Sequence, residues 1–178
     1  MSFTNPNKNI DQLGLNTGDH IVIFGSGVGG HSFAASRALK DSGHVYAVDV
    51  RSDMLQKLKT DAMIQNLTNI TPIHGNVESP NGTKQKENSI DVVIIPNTLF
   101  SYDDKPAILK EAYRIVKPSG RLLIVDWRSS FSNMGPTPEN VVTQQQATEL
   151  ATSAGFTFTQ NISAGNYHYG AIYLKKDS

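Results

Sequence analysis

The stretch IVIFGSGVGGHSFAASRALKDSGHVYAVD, residues 21–49, decides the fold because it alternates strand, loop, helix and strand. Four β-prone residues at 21–24 run directly into a glycine-rich loop at 25–30. A helical pattern follows the loop, and a second short strand at 45–48 ends at Asp49. This order predicts one βαβ unit whose loop and acidic residue lie at the same edge of a parallel sheet.

The glycine-rich loop and Asp49 together predict a nucleoside-containing ligand. Glycines let the backbone approach a ligand that a Cβ would push away, and the amino terminus of the following helix offers unpaired N–H groups to an anion. The carboxylate of Asp49 can accept hydrogen bonds from two ribose hydroxyls. The alternative is a tight strand–helix turn without a ligand. It is disfavoured because the loop and the acid fall together in one βαβ frame.

Composition limits the class of the chain and its partners. At 178 residues the chain is expected to form one domain, residues 1–178, and 16 basic against 16 acidic residues give no net charge. This balance argues against a nucleic-acid partner, which requires clustered Lys and Arg. The absence of cysteine excludes disulfides, thiolate metal sites and thiol catalysis. No apolar signal region or membrane-spanning run is present, so a cytoplasmic location without membrane insertion is expected.

Strand and helix patterns continue to alternate after the first unit. Further strands are predicted at residues 70–74, 90–95, 121–127, 156–161 and about 168–174. A hairpin turn at 163–166 joins the last two of these strands. The pattern predicts an α/β fold, a Rossmann-like, doubly wound and mostly parallel seven-stranded sheet with a C-terminal antiparallel hairpin. Nicotinamide-binding Rossmann domains do not ordinarily end in such a hairpin.

Capping residues and helix breakers predict where the helices begin and end. The sequence Asp-Ser-Gly at 41–43 ends the first helix, and Ser52 is expected to cap the second. Asp103 or Asp104 is expected to cap the next helix. The sequence Lys-Pro-Ser-Gly at 117–120 is expected to end that helix before the fifth strand begins.

Motifs along nearly the whole chain, roughly residues 15–175, resemble those of the class I S-adenosylmethionine-dependent methyltransferases. The resemblance is greatest to the small single-domain members related to the ubiquinone/menaquinone C-methyltransferase group. It is carried in order by GSGVGG (25–30), VYAVD (45–49), HGNVES (74–79), DVVIIPNTLF (91–100), RIVKPSGRLLIVDW (114–127) and YHYGAIYLKK (167–176). A single glycine motif would be weak, whereas several motifs in the family's order are specific.

The resemblance implies S-adenosyl-L-methionine as the cofactor and assigns residues to its parts. The methionine portion would be lined by Gly25, Ser26, Gly27 and Gly29. The ribose hydroxyls would be bound by Asp49, with Val50 packing near the adenine. The adenine edge would be recognised by Asn76 and Val77, and the backbone near the transferred methyl would come from Pro96 and Asn97.

Three positions depart from the family pattern. The family usually has an acid two residues before the first glycine, where this chain has Ile23. It commonly has Asp where Asn76 stands, and many relatives have His where Phe100 stands. Loss of the acid removes a carboxylate that helps to hold the cofactor's ammonium group. Weakened cofactor binding or a lost activity is therefore an alternative.

Catalysis by methyl transfer makes small demands on side chains, because the sulfonium already carries an activated methyl group and positioning supplies most of the acceleration. We expect in-line displacement onto a small-molecule acceptor, with no metal. His168, at the start of the last strand, is the candidate general base, and a histidine bonded to backbone or solvent is the alternative. Arg128 is the candidate for holding an anionic acceptor, and a solvated loop charge is the alternative.

Two other functions are compatible with the same motifs. An NAD-dependent oxidoreductase would also use a G-x-G-x-x-G loop and an acid such as Asp49. The terminal hairpin and the Lys-Pro-Ser-Gly segment count against that function. A cofactor-binding or regulatory protein that has lost catalysis is the third candidate, and its basis is the set of departures from the family pattern.

Overall fold

The computed structural model describes residues 4–40, 42–132 and 134–176. The strands are β1 His20–Phe24, β2 His44–Asp49, β3 Ile70–His74, β4 Ile90–Pro96, β5 Val116–Trp127, β6 Phe156–Ile162 and β7 His168–Lys175. The helices are α1 Pro6–Leu13, α2 Gly30–Leu39, α3 Ser52–Ile64, α4 Lys105–Ile115 and α5 Gln144–Ser153. Short 3₁₀ turns occur at Leu99–Ser101 and Pro138–Asn140. The expected single domain, 1–178, extends beyond the described residues and stays a prediction.

The strands form one seven-stranded sheet in the order β3-β2-β1-β4-β5-β7-β6. Strands β1 to β5 pair in parallel, while β7 lies antiparallel between β5 and β6. The predicted fold class and terminal hairpin are thereby confirmed. The strand order reverses between β1 and β4, which places a crevice outside the carboxyl ends of these strands.

Alternate residues of the strands face two separate helical layers. Val22 and Phe24 of β1 pack with α4 and α5, on what we call the α4 face. Ile21 and Ile23 pack with α1 and α2, on the α2 face. Near-continuous apolar strands such as β4 are expected when both faces of a parallel sheet are covered.

Helix α1 is an element that the sequence analysis did not predict. Asn5 caps it by accepting a hydrogen bond from the N–H of Lys8 at 3.3 Å, and Pro6 occupies its first turn. Ile10 and Leu13 anchor it on the α2 face. Two apolar side chains over so short a segment are too few to show a helical period.

Two predicted boundaries are wrong in detail. Arg51, rather than Ser52, occupies the N-cap position of α3, and it makes no side-chain capping bond. Strand β5 begins at Val116 rather than at residue 121, because residues 117–120 bulge within the strand. The register of the β4–β5 pairing shifts there: Val116 pairs with Ile90 before the bulge, and Arg121 pairs with Val92 after it.

The two predicted ends of α4 agree with the structure. Helix α4 ends at Ile115, before residues 117–120, as expected. Asp104 caps α4 by accepting a hydrogen bond from the N–H of Ala107 at 2.9 Å. The predicted helix stop at 41–43 includes Asp41, which lies outside the described residues. In the described part of the chain, no helix has the length and apolar character needed to span a membrane.

Candidate active site

A cavity of about 320 Å³ opens beside the glycine loop, at the carboxyl ends of β1 and β2. This is the topological switch point of the sheet, where α/β folds bind their ligands. Predicted cofactor residues that line the cavity are Gly25, Gly27, Asp49, Val50 and Val77. Lining residues that were not predicted are Val48, Arg51, Gly75, Thr98, Ser101 and Tyr102.

The glycine loop provides a backbone surface that side chains would obstruct. Gly25 has a φ of +67°, and a Cβ there would lie 2.6 Å from Cγ2 of Thr98. Gly27 has a φ of +50°, and nothing lies within 4 Å of where its Cβ would be. The loop therefore needs glycine for its left-handed conformation, and at Gly27 it leaves open space that a ligand can approach.

The carboxylate of Asp49 joins the end of β2 to the glycine loop. Its Oδ2 accepts the N–H of Gly27 at 2.8 Å, and its Oδ1 accepts the N–H of Arg51 at 2.9 Å. The residue is 9% exposed and borders the cavity. A carboxylate has about four acceptor positions, so both oxygens retain capacity for ligand hydroxyls. This geometry fits the ribose of the expected cofactor.

Tyr102 closes the cavity from the side of β4. A Cβ on Gly25 would lie 2.8 Å from its hydroxyl oxygen, so the hydroxyl end of Tyr102 lies directly against the start of the glycine loop. Burial raises the pKa of Tyr102, which keeps the phenol protonated at neutral pH. Tyr102 and Thr98 follow β4 closely in sequence, and this position at the switch-point strand was the signal that could have identified them.

Two predicted cofactor residues place unpaired oxygens in buried positions outside the cavity. Ser26 Oγ and Asn97 Oδ1 have no hydrogen-bond partner among the described residues. Asn97 has a φ of +55°, and its N–H donates to the carbonyl of Val125 at 2.7 Å. Buried polar atoms are normally paired, so these two oxygens suit a ligand with N–H or O–H donors. Such a ligand includes the ammonium group of the expected cofactor.

The other predicted cofactor residues have mixed placements. Val77 is buried and forms part of the cavity wall, whereas Val50 is 54% exposed at its rim. Asn76 is exposed, and its Oδ1 accepts the N–H of Glu78 at 2.9 Å in a local turn. Gly29 is the N-cap of α2, and Pro96 is buried at the end of β4. Their assigned contacts with the cofactor stay predictions.

A buried carboxyl holds the turn that carries part of the cavity wall. Asp126, at the end of β5, accepts the N–H of Phe100 at 3.2 Å and that of Trp127 at 2.8 Å. Burial raises the pKa of Asp126 to about 7, against the effect of the backbone donors. Phe100 is one of the three expected departures from the family pattern, and its backbone supports the turn next to Ser101 and Tyr102.

The departure at Ile23 is a packing position in this structure. Its side chain is fully buried on the α2 face, with Ala34 and Ala35 in the same cluster. No carboxylate stands at this position to receive the cofactor's ammonium group.

His168 and Arg128 lie at the edge of the sheet where the parallel strands end. Arg128 directly follows β5, and His168 begins the antiparallel β7. His168 is 1% exposed, and neither ring nitrogen has a partner among the described residues. The role of His168, as a general base or as a histidine bonded to backbone or solvent, stays a prediction. Burial, and then the charge of Arg128, lower the pKa of His168 to about 4, so the ring is neutral at pH 7. Arg128 is exposed, and its Nε donates to the His168 carbonyl oxygen.

Residues 15–169 match a protein family described as "Methyltransferase domain". The chain belongs to this family. The match covers most of the chain, and the sheet order places the antiparallel β7 where the motif order predicted it. The expected class I S-adenosylmethionine-dependent methyltransferase and its cofactor are confirmed, and an NAD-dependent enzyme receives no support.

Curated relatives and solved structures agree with the family. The ubiquinone/menaquinone biosynthesis C-methyltransferase of Haemophilus ducreyi is 31% identical over 122 residues, which are 66% of this chain and 45% of that protein. The demethylmenaquinone methyltransferase of Geobacillus sp. is 33% identical over 95 residues, 53% of this chain and 39% of that protein. This chain thus spans less than half the length of these curated relatives. A SAM-dependent methyltransferase from Aquifex aeolicus superposes with a TM-score of 0.87 at 23% identity, covering 97% of this chain and 90% of that one.

Proposed function

We propose that this chain transfers a methyl group from S-adenosylmethionine to a small-molecule acceptor by in-line displacement. The observation that carries the proposal is the Asp49 carboxylate bonded to the N–H of Gly27 at the mouth of the switch-point cavity. When bound, S-adenosylmethionine supplies an activated methyl group on a sulfonium centre. In this proposal the Asp49 carboxylate accepts hydrogen bonds from the ribose hydroxyls. The side-chain oxygens of Ser26 and Asn97 accept hydrogen bonds from the ammonium group.

His168 is proposed to bind the reacting group of the acceptor. Its neutral ring has one nitrogen that accepts a hydrogen bond. A pKa of about 4 makes it a weak base, so in this proposal it accepts a hydrogen bond from the hydroxyl of the acceptor and does not remove the proton. Arg128 holds the backbone of His168 and lies where it can balance a developing negative charge.

The acceptor is proposed to be a hydroxylated planar ring, such as a quinol. Both curated relatives described above carry quinone-pathway names, although this chain spans less than half of each. In this chain, the ring of Trp127 lies 4.3 Å from that of His168 and 6.3 Å from that of Phe131, and Tyr167 packs edge-on against Phe131 at 4.8 Å. An aromatic cluster of this kind provides faces on which a flat acceptor can stack. A cytoplasmic location and the absence of a nucleic-acid partner also stay proposals.

Calorimetry with S-adenosylmethionine, S-adenosylhomocysteine and NAD tests the cofactor site. Asp49→Ala should weaken binding of both adenosyl ligands by about 1–3 kcal/mol, because the ribose hydroxyls lose a charged acceptor. Asp53→Ala is the matched control, since Asp53 is exposed in the first turn of α3 outside the cavity. Tighter binding of NAD, or equal affinities in the two variants, would contradict the assignment.

A binding protein without catalysis is the second candidate, and the buried Ile23 favours it. Transfer of labelled methyl from S-adenosylmethionine to 1,4-dihydroxynaphthalene separates the two functions. Methyl transfer that is abolished in Asp49→Ala supports the enzyme. Tight binding of S-adenosylhomocysteine without transfer to this acceptor or to a panel of phenols would favour the binding protein.

A further inference from the structure

Two walls of the switch-point cavity are joined from outside the cavity by the side chain of Glu78. One wall includes Gly75 and Val77, which follow β3, and the other includes Ser101 and Tyr102, which follow β4. Glu78 directly follows Val77 in the chain but lies outside the cavity lining. Its carboxylate reaches the second wall just beyond Tyr102, so a contact made outside the cavity can control the shape of the space within it.

The carboxylate of Glu78 accepts two backbone hydrogen bonds at the amino end of α4. Its Oε1 accepts the N–H of Asp103 at 2.8 Å and the N–H of Asp104 at 2.7 Å. A carboxylate makes stronger hydrogen bonds than a neutral acceptor, and a negative charge is favoured near the amino end of a helix. Because Asp103 directly follows Tyr102, these two bonds hold the backbone immediately beside Tyr102.

The side chain of Asn76 orients Glu78. Oδ1 of Asn76 accepts the N–H of Glu78 at 2.9 Å, which closes an Asx turn. This turn fixes the backbone from which the Glu78 side chain extends toward α4. Asn76, Glu78 and the backbone N–H groups of residues 103 and 104 therefore form a continuous chain of hydrogen bonds, which we call the Glu78 latch.

The second wall has other supports, and they leave its Tyr102 end dependent on the Glu78 latch. The N–H of Phe100 donates to the carboxyl of Asp126 at 3.2 Å, so the middle of this segment is held to the end of β5. Nζ of Lys105 donates to the carbonyl of Tyr102 at 2.6 Å, but so flexible a side chain can follow a movement of the backbone. Loss of the latch would therefore release the Tyr102 end first, and the Tyr102 hydroxyl would move away from the glycine loop.

We propose that Glu78 is a positioning residue that keeps Tyr102 against the glycine loop and thereby strengthens binding of the adenosyl cofactor, with Asn76 orienting Glu78. This inference rests on the proposed function, because it requires the adenosyl group to occupy the cavity beside Asp49. Affinity falls in proportion to the fraction of molecules whose site is ready to bind. A wall that is already held in place before the cofactor arrives keeps that fraction high.

Calorimetry of S-adenosylhomocysteine binding to the wild-type protein, Glu78→Ala and Glu78→Gln tests the proposal. We expect Glu78→Ala to weaken binding about tenfold, which is the effect of leaving the wall in its binding position for roughly one-tenth of the time. Glu78→Gln keeps an oxygen that accepts hydrogen bonds from both N–H groups, so it should recover most of the affinity.

Asp104→Ala is the matched control for simple destabilisation of α4. It removes the side-chain oxygen that accepts the N–H of Ala107, but it retains the backbone N–H that donates to Glu78. Thermal unfolding without ligand should show a loss of stability in Asp104→Ala as well as in Glu78→Ala. When binding is measured well below both melting temperatures, Glu78→Ala should lose affinity and Asp104→Ala should not.

A double-mutant cycle shows whether Glu78 acts through Tyr102. If the latch strengthens binding by positioning Tyr102, Glu78→Ala should cost no further affinity when Tyr102 is already replaced by Ala. Tyr102→Leu provides a second background with more of the packing volume retained. Asn76→Ala should likewise add nothing to Glu78→Ala, because Asn76 acts through Glu78.

The measurements separate failure of this inference from failure of the proposed function. Equal affinities in the wild-type protein and Glu78→Ala, or equal losses in Glu78→Ala and Asp104→Ala, overturn the inference. Additive losses for Glu78→Ala and Tyr102→Ala, or no recovery in Glu78→Gln, also overturn it. If the wild-type protein binds no S-adenosylhomocysteine, or if Asp49→Ala binds it as tightly as the wild type does, the proposed cofactor site itself fails.

Discussion

Replacing the buried carboxyl of Asp126 by an amide tests whether this group makes stability depend on pH. Burial raises its pKa from the ordinary 3.8 to about 7, although backbone N–H groups donate to it and Lys105 lies near enough to oppose the shift. The folded state therefore holds the proton more tightly than the unfolded state. The stability contributed by this group is complete below the unfolded-state pKa and is lost as the pH rises through the folded-state value.

The size of the effect follows from the shift. A change from 3.8 to about 7, at about 1.36 kcal/mol per pKa unit, corresponds to about 4 kcal/mol in all. The two buried histidines act in the opposite direction. His31 and His168 have pKa values lowered from 6.5 to about 4, so their contribution is lost as the pH falls through that interval. The wild-type curve mixes these effects, whereas its difference from Asp126→Asn isolates the carboxyl.

Urea denaturation at about pH 5 and about pH 8 measures this difference. Between those conditions we expect the wild-type protein to lose about 3 kcal/mol of unfolding free energy relative to Asp126→Asn. Asp103→Asn is the control, since Asp103 is exposed near the start of α4. The same difference between wild type and Asp126→Asn at both pH values would refute the reasoning.

Two further substitutions test the packing beside the site and the end of a helix. Ile23→Asp should cost about 4 kcal/mol of unfolding free energy. Its melting temperature should nevertheless rise more on adding S-adenosylmethionine than the melting temperature of the control Ile21→Asp. Ile21 is buried on the same face of the sheet as Ile23. Equal ligand-induced shifts would show that the missing acid does not limit binding. Lys175→Met removes an ammonium that donates to two backbone carbonyls at the end of α4, and should cost about 2–3 kcal/mol in urea denaturation. A loss no larger than that of the exposed Lys176→Met would contradict this role.

Much of the fold was predictable because its central strands are apolar and bounded by clear turn signals. The paired position of Asp49 and the glycine loop was also predictable, since both belong to one local βαβ unit. The bulge at residues 117–120 was not, because Pro118 and Ser119 have the local signature of a loop. Only the neighbouring β4 shows that the ladder continues beyond them.

The parts of the site that were missed depend on contacts between distant segments. Tyr102 covers Gly25 through the packing of β4 beside β1, and its position after β4 alone does not show this contact. The contact of Asn9 with His31 depends on the packing of α1 beside α2, and α1 itself has too few apolar residues to be predicted. Sequence patterns report local periodicity, whereas these contacts are consequences of tertiary packing.

The placement of β7 has a consequence for folding during synthesis. Because His168–Lys175 lies between β5 and β6, those two strands do not pair with each other, and the sheet closes only after residue 175 has emerged. Until then a growing chain exposes the edge of β5, an apolar strand that offers unpaired N–H and C=O groups along its length. A chain interrupted before residue 168 would keep that edge open. Premature termination should therefore produce an aggregation-prone fragment that depends on chaperones, and not a slightly shortened enzyme.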